Sequence, residues 1–580
     1  MFYRVLSHVL SLEFQKNPKN FTQSSEAFKL RKFLCCCFFL LFPLLLASQA
    51  FAFSESEQEC KLKDVSIRKN GKRQQVSFPA TLGAQSGQEI TSACLYFTGI
   101  DSSFILTGKD FLVSINDGVF EPPNNQKVKD GDSIRIKSLP PAMGRKDKRV
   151  TIQFKETAHK AQLKRNLYQI VWMITASDSP GNTIYDVGPS HMYREISEVL
   201  PKLKPGDTIR LQKNAVYQGF SVKQVSGTEE APIKLTSNAT ESSERPRIVG
   251  RGEGKRDWVI GLTRSHFWHI KNVILEGGDV CLRNEAAYTL LEKVVIRDCH
   301  HGVLGTDHSS GSITIQNSEV YGSGGKVEGR AWGHAIYIAT DRDRFPGSTF
   351  TLKNSFVHGN RGNAVKSRAE NTHIVGNWLE TSTEDQSRYL IELIGYDAYD
   401  DSEPLYGLVE NNILVNIGQQ HSIRVGGDGT GRNIGAERFA NNLFVFSKTF
   451  DGTVFRIYHG LGELEVENNT FLFANSKPIF VRDTLSPEQW TDNKPVVRIK
   501  SNILSPLDVL YYHNEGSAEL STPYFSEVVI DNMTTNHVEI DVSDNNWLEK
   551  NVSGKDKASI NSWLPFSSRP KANSYIETLR

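Results

Sequence analysis

Short apolar-x-apolar triplets return along much of the chain, and this recurrence limits the fold more than any other feature. The triplets begin at Val280, Val303, Ile336, Val365, Ile391, Ile423 and Phe455, at spacings of 23 to 33 residues. Their third members are Leu282, Gly305, Ile338, Ser367, Leu393, Val425 and Ile457. A second repeat runs between them with asparagine at one place: Asn317, Asn354, Asn377, Asn411, Asn441 and Asn468. Each is followed by an apolar strand, such as Phe356-Val357 or Ile413-Leu414-Val415. Strand, asparagine turn and strand per repeat describe one coil of a solenoid. Stacked coils bury a continuous apolar column, with equivalent residues about 4.8 Å apart. Asparagine amides at that spacing can hydrogen-bond along the stack. A propeller would place four strands in each repeat of about 40 residues and gives no reason for an asparagine column. The pattern therefore predicts an all-β chain dominated by a right-handed parallel β-helix over 177–545.

The flanks read differently. A chain of 580 residues exceeds one ordinary core. Short strands such as Phe111 to Ile115, Ser133 to Ile136 and Val150 to Phe154, with turn signals at Asn116-Asp117-Gly118 and Asp130-Gly131-Asp132, predict a small β-sandwich over 53–176. A short helix over Met192 to Leu203 is expected to cap the first coil, because an open stack exposes unpaired strand edges. The tail 546–580 loses the repeat and is expected to cover the last coil.

Lys29, Arg31 and Lys32 precede an apolar run from Phe33 to Ala47, and Ala50-Phe51-Ala52 follows as a small-residue cleavage site. This layout predicts a secretory signal peptide over 1–52, a secreted or periplasmic mature protein, and no membrane attachment after cleavage. The polar stretch Met1 to Leu30 is long for such a peptide. That leaves two alternatives, a start codon placed too early or an apolar run retained as an anchor. Of the seven cysteines, Cys60, Cys94, Cys281 and Cys299 lie beyond the cleavage site. An exported protein can keep disulfides, and Cys60 with Cys94 and Cys281 with Cys299 are the expected pairs. Net charge is +1, so nothing global points to nucleic acid, and an anionic partner has to be met by a local patch. A monomer is expected.

Such a patch is readable from strand geometry. The flanking members of each triplet point inward, so the middle member points outward. The middle residues in order are Cys281, Leu304, Tyr337, Lys366, Glu392, Arg424 and Arg456. Arg283, Arg368 and Tyr458 fall in the next outward column, and His334 reaches the same face from just before its strand. Five coils then form a shallow basic groove, about 20 Å long at the strand spacing, suited to an extended anionic polymer. The plain alternative is that Lys366 and Glu392 are a cross-strand pair of the ordinary stabilising kind. Against it, two arginines follow with no acid between them in the column. Asp397, Asp400 and Asp401 offer clustered carboxylates of the kind calcium takes, although loop acids are more often simply solvated. No metal ligand set can be assigned, and no cofactor is required, with calcium left open. Gly426-Gly427-Asp428-Gly429-Thr430-Gly431 reads as a turn beside the groove.

Pro205 to Leu211, Tyr217 to Val222 and Pro232 to Leu235 resemble the first turns of exported, pectate-lyase-like β-helix proteins. Phe111 to Leu139 loosely resembles the immunoglobulin-like modules found beside their catalytic domains. Gly362-Asn363-Ala364-Val365-Lys366-Ser367-Arg368-Ala369-Glu370-Asn371 resembles the catalytic strand of chondroitinase-B-like and alginate lyases of the β-helix class. There, a lysine followed by serine and soon by asparagine carries the base. Lys366 and Ser367 match, and the asparagine stands one residue later. The family's arginine falls near Arg388 by count and at Arg424 by column. The family's calcium-binding acids have no counterpart in Ile336 to Ala339 or Ala364-Val365.

The resemblance implies β-elimination on a uronic-acid polysaccharide. Lys366 would be the base, Arg424 or Arg368 the carboxylate fork, Tyr337 the proton donor and Glu392 an orienting group or acid. His334, Arg368, Arg456 and Tyr458 would bind substrate. A C5-epimerase would use the same proton abstraction. A glycoside hydrolase needs two flanking carboxylic acids, and adjacent coils give Glu392 no outward partner. A noncatalytic carbohydrate-binding or adhesion protein would use the groove for binding alone.

Overall fold

Inward-facing Val, Ile, Leu and Phe at every second position build three long sheets from one winding chain. A computed structural model describes residues 68–531, apart from short internal stretches such as 98–102, 157–166, 252–256, 396–403, 474–479 and 483–494. The signal segment, Cys60 and the tail 546–580 lie outside the described residues. One sheet has 13 strands and two have 11, and each strand pairs in parallel with its equivalent one coil away. The chain visits the three sheets in turn, which is the winding of a parallel β-helix, and parallel crossovers of this kind are right-handed. The interior is one continuous apolar cluster from Val187 to Ile499. The Cys281–Cys299 pair forms a disulfide inside it, across a separation of 18 residues, tying one coil to the next.

Residues 68–177 form two further sheets, of six and four strands, around a separate core that includes Leu106, Val113, Ile134, Ile152 and Trp172. Their pairings are antiparallel except that Leu167–Ser177 runs parallel to Arg73–Gln85. Cys94 is disulfide-bonded.

Two expectations need correction. The segment Met192 to Leu203 is not one helix but two 3-10 turns, Ile196–Glu198 and Leu200–Lys202. Pro201 breaks the run, because it has no N–H to donate. Ile196, Val199 and Leu203 still bury their side chains against the first coil. The asparagine ladder also lies one residue later than expected at most coils. Asn377, Asn412, Asn442, Asn469 and Asn502 form the buried stack, each side-chain amide donating to the next asparagine's oxygen at 2.9–3.0 Å. Asn317, Asn354, Asn411, Asn441 and Asn468 instead hold the turn itself, with φ between 48° and 57°. Asparagine tolerates this left-handed conformation because its short amide can bond locally. Each doublet, such as Asn411-Asn412, therefore divides the work: the first residue turns the chain and the second joins the ladder.

Candidate functional site

The outward column survives from Leu304 onward. Leu304 pairs with Tyr337, Tyr337 with Lys366, Lys366 with Glu392, Glu392 with Arg424, and Arg424 with Arg456. Its first member is Arg283, not Cys281, because Arg283 is the residue in register with Leu304. Cys281 faces the core. The frame slips there because the inward position after Arg283 is filled by Asn284, which breaks the apolar pattern. Arg368 and Tyr458 stand at the next outward position of their strands, Val365–Arg368 and just past Phe455–Ile457.

Glu392 is the hub of the site. Its Oε2 accepts from Lys366 Nζ at 3.1 Å and from the Asn363 amide, and its Oε1 accepts from Arg424. All three charged side chains are shielded, with exposures of 3% for Glu392 and 12% for each cation. Arg424 also donates to Asp428 at 3.0 Å, and Asp428 is bonded in turn by Arg368. The site is thus a chain of alternating charges, Lys366–Glu392–Arg424–Asp428–Arg368. Burial opposes the charge on Arg424, but Glu392, Tyr458 and Asp428 outweigh it and raise its pKa. Burial likewise pushes Asp428 up, while Arg424 and Arg368 hold it below the usual carboxylate range.

Aromatic rings line the cations. Lys366 Nζ lies 5.2 Å from the Tyr337 ring centre, and the Arg424 guanidinium stacks 3.8 Å from that of Tyr458. Arg456 donates to the Tyr389 hydroxyl at 3.0 Å. Burial raises the Tyr337 phenol above its ordinary value, with Arg368 opposing and Glu392 adding to the rise. Tyr337 therefore keeps its proton and can donate it. His334 is buried beside Tyr337, with ring centres 5.7 Å apart. Burial pushes its imidazole well below the ordinary histidine range, and Lys366, His301 and Arg388 push it the same way. Its Nδ1 accepts the Asn363 backbone N–H at 3.2 Å, so the neutral ring carries its proton on Nε2 and can only donate there.

All eight residues expected from the sequence stand on or beside this one face. The sequence reading missed Asp428, Asn363 and Tyr389. Asp428 gave no signal, because it lies beyond the strand Ile423–Gly426 in a turn that follows no repeat. Asn363 and Tyr389 each sit two residues before a triplet, where His334 also sits, so the same reasoning that found His334 applies to them. Asp397, Asp400 and Asp401 lie outside the described residues.

Comparison with protein-family profiles gives no match, and comparison with curated protein sequences gives none either. Among solved structures, the chain is similar to an alginate lyase from Paenibacillus sp. str. FPU-7, at 17% identity and TM-score 0.36, over 57% of this chain and 96% of that one. It is similar to a pectate lyase at 13% identity and TM-score 0.31, over 60% of this chain and 82% of that one. It is also similar to a periplasmic alginate epimerase at 11% identity and TM-score 0.26, over 64% and 86%.

Proposed function

We propose that this chain is an exported polysaccharide lyase that cleaves a uronate-containing polymer by β-elimination. One observation carries the reading. Lys366 and Tyr337 are register neighbours with Nζ 5.2 Å from the ring, beside the guanidinium groups of Arg424 and Arg368. Elimination needs those parts: a fork to neutralise the sugar carboxylate, a base for the adjacent proton and an acid for the leaving oxygen. Arg424 and Arg368 take the carboxylate. Lys366 Nζ removes the C5 proton, the electron pair becomes the C4–C5 double bond, and the C4–O bond breaks. Tyr337 gives its proton to the departing oxygen. His334 donates from Nε2 to a sugar oxygen. Glu392 orients Lys366 and Arg424 from beneath.

The Lys366–Glu392 contact at 3.1 Å favours a second reading, in which the groove binds without turnover. The two differ in product. A panel of uronate polymers is expected to yield the ultraviolet absorbance of a conjugated double bond, and Lys366→Ala is expected to lower that rate by about 10²–10⁴-fold with the circular dichroism unchanged. Binding without any absorbance change would replace the lyase by the second reading. Lys366 must be neutral to accept a proton, and Tyr337 must be protonated to donate one. With Tyr337 as the acid, the rate is expected to hold beyond pH 10, since the Tyr337 pKa is raised from 10.0. A rate that falls below pH 10 would remove Tyr337 as the acid. A hydrolytic reading would need one protonated carboxyl near neutrality, which the arginines around Asp428 work against.

Export is supported by the Cys281–Cys299 disulfide together with the apolar run and small-residue site before Phe53. Amino-terminal sequencing of the secreted protein is expected to begin at Phe53.

A further inference from the structure

The sandwich strand Arg73–Gln85 carries one residue too many for its neighbour Leu167–Ser177. Trp172 pairs with Phe78 and Ile174 with Thr81, so three steps on one strand face two on the other. The surplus is a β-bulge at Pro79-Ala80. A bulge leaves a backbone group outside the ladder and re-aims it. Pro79 has no N–H to aim. Ala80 has one, and it donates to Arg344 O of the solenoid at 2.9 Å.

A second contact joins the same two parts of the chain. Asp147 accepts from the Thr175 hydroxyl of the sandwich at 3.3 Å with one oxygen, and from Arg264 of the solenoid at 3.0 Å with the other. Its side chain is only 9% exposed, so water screens this pair less than an open surface pair. Arg264 holds a left-handed backbone, φ 49°, a conformation that a long side chain keeps only where its surroundings fix it.

The two anchors converge. Arg344 lies in a turn that directly follows Ile336–Ala339, the strand of Tyr337. Asp341 organises this turn by accepting the backbone N–H of Ser309 at 2.8 Å and of Arg344 at 3.1 Å. Phe345 packs edge-on against the ring of His266, with centres 5.5 Å apart. His266 is buried and stands two residues after Arg264. Burial, and then the charges of Arg264 and Arg344, lower its pKa to about 3, so both arginines lie close to one imidazole.

We infer that the sandwich is a clamp on the solenoid, whose two jaws are Asp147 on Arg264 and the Ala80 N–H on Arg344. The clamp fixes the turn 341–345, and the turn fixes the exit of the Tyr337 strand. Ala339, the last residue of that strand, is the register partner of Arg368. Asp147 and Arg264 are positioning residues that act on the groove through this turn. The clamp itself does not need the uronate reading; only its effect on turnover rests on it.

The test uses the full mature chain and hydrogen exchange of its backbone amides. Asp147→Ala and Arg264→Ala are each expected to speed exchange over 341–345 about tenfold, with 365–368 and 423–426 unchanged. The double variant is expected to exchange no faster than either single one, because both remove the same contact. Arg264→Lys keeps the charge and is expected to retain most of the protection. Unchanged exchange over 341–345 in both single variants, or increases that add in the double variant, overturn the clamp. If Asp147→Ala also loosens 150–154, the sandwich itself has opened, and Arg264→Ala, which lies in the solenoid, decides alone. With a polymer that is turned over, Arg264→Ala is expected to lower kcat and leave KM unchanged; a released turn with unchanged kcat overturns the positioning of Tyr337. If no uronate polymer yields unsaturated product, the lyase reading fails, and exchange still decides whether the clamp exists.

Discussion

Two glutamates of this solenoid are equally buried and live in opposite surroundings. Glu392 faces the groove, where Lys366, Asn363 and Arg424 occupy both of its oxygens. Glu437 faces the apolar interior, where Asn433 bonds one oxygen and the other finds no partner. Its register neighbours are Gly407 and Leu464. Burial raises its carboxyl to about 8, only partly countered by Asn433. Equal burial thus comes with unequal bonding: three donors at Glu392 and one at Glu437.

The largest effect should come from breaking the clamped acid. Glu392→Ala leaves Lys366 and Arg424 shielded and without their shared partner, and loss of one member of a buried ion pair costs about 3–5 kcal/mol. Urea denaturation is expected to register that loss, together with loss of any turnover. A change below about 1 kcal/mol would mean that the cations turn out to solvent and that Glu392 is no hub.

The interior acid should show a smaller effect, set by pH. The folded pKa of about 8 lies above the unfolded value of about 4.3. The folded state then binds more protons between those values, so stability falls as pH rises through that window. Glu437→Gln carries no such titration. It is expected to be more stable than the parent at pH 9 by a few kcal/mol, with the difference shrinking toward pH 5. Parallel curves for the two proteins would place a partner on the second oxygen. Gly407 belongs to the same arrangement, because a Cβ there would fall 1.7 Å from Glu437 Oε2.

These contrasts also mark what the sequence could reveal. The column from Leu304 to Arg456 was legible because each outward residue lies between two inward ones, and strand alternation leaves no other choice. Arg283 was misread because its inward neighbour is Asn284, which is satisfied inside the core by Ala286 and Thr289. Polar residues that find partners within the interior defeat a pattern based on hydrophobicity, and Glu437 escaped notice for the same reason. Arg388 was named by its count from Lys366, but its stacking on Trp332 was not legible, because both residues lie outside the triplets. The ion-pair chain to Asp428 depended on a turn whose course no periodicity fixes.

The smallest effects separate the two asparagines of one doublet. Asn442 has a fully used amide: Nδ2 donates to Val409 O and to Asn469 Oδ1, and Oδ1 accepts from the Asn412 backbone and side chain, all at 2.9–3.0 Å. Asn442→Ala strands those groups in the buried interior, at about 1–3 kcal/mol. Asn441 sits at φ 56°, where its role is conformational. Asn441→Ala should lose about 1 kcal/mol through the left-handed backbone, and Asn441→Gly should be near neutral because glycine adopts that conformation freely. The glycine variant is the sharper probe. Applied to Asn442 it should be at least as damaging as alanine, since it removes the ladder amide and adds chain freedom. Opposite responses of two adjacent asparagines to one substitution would establish the division between turn and ladder. Equal responses would mean that both act through the turn.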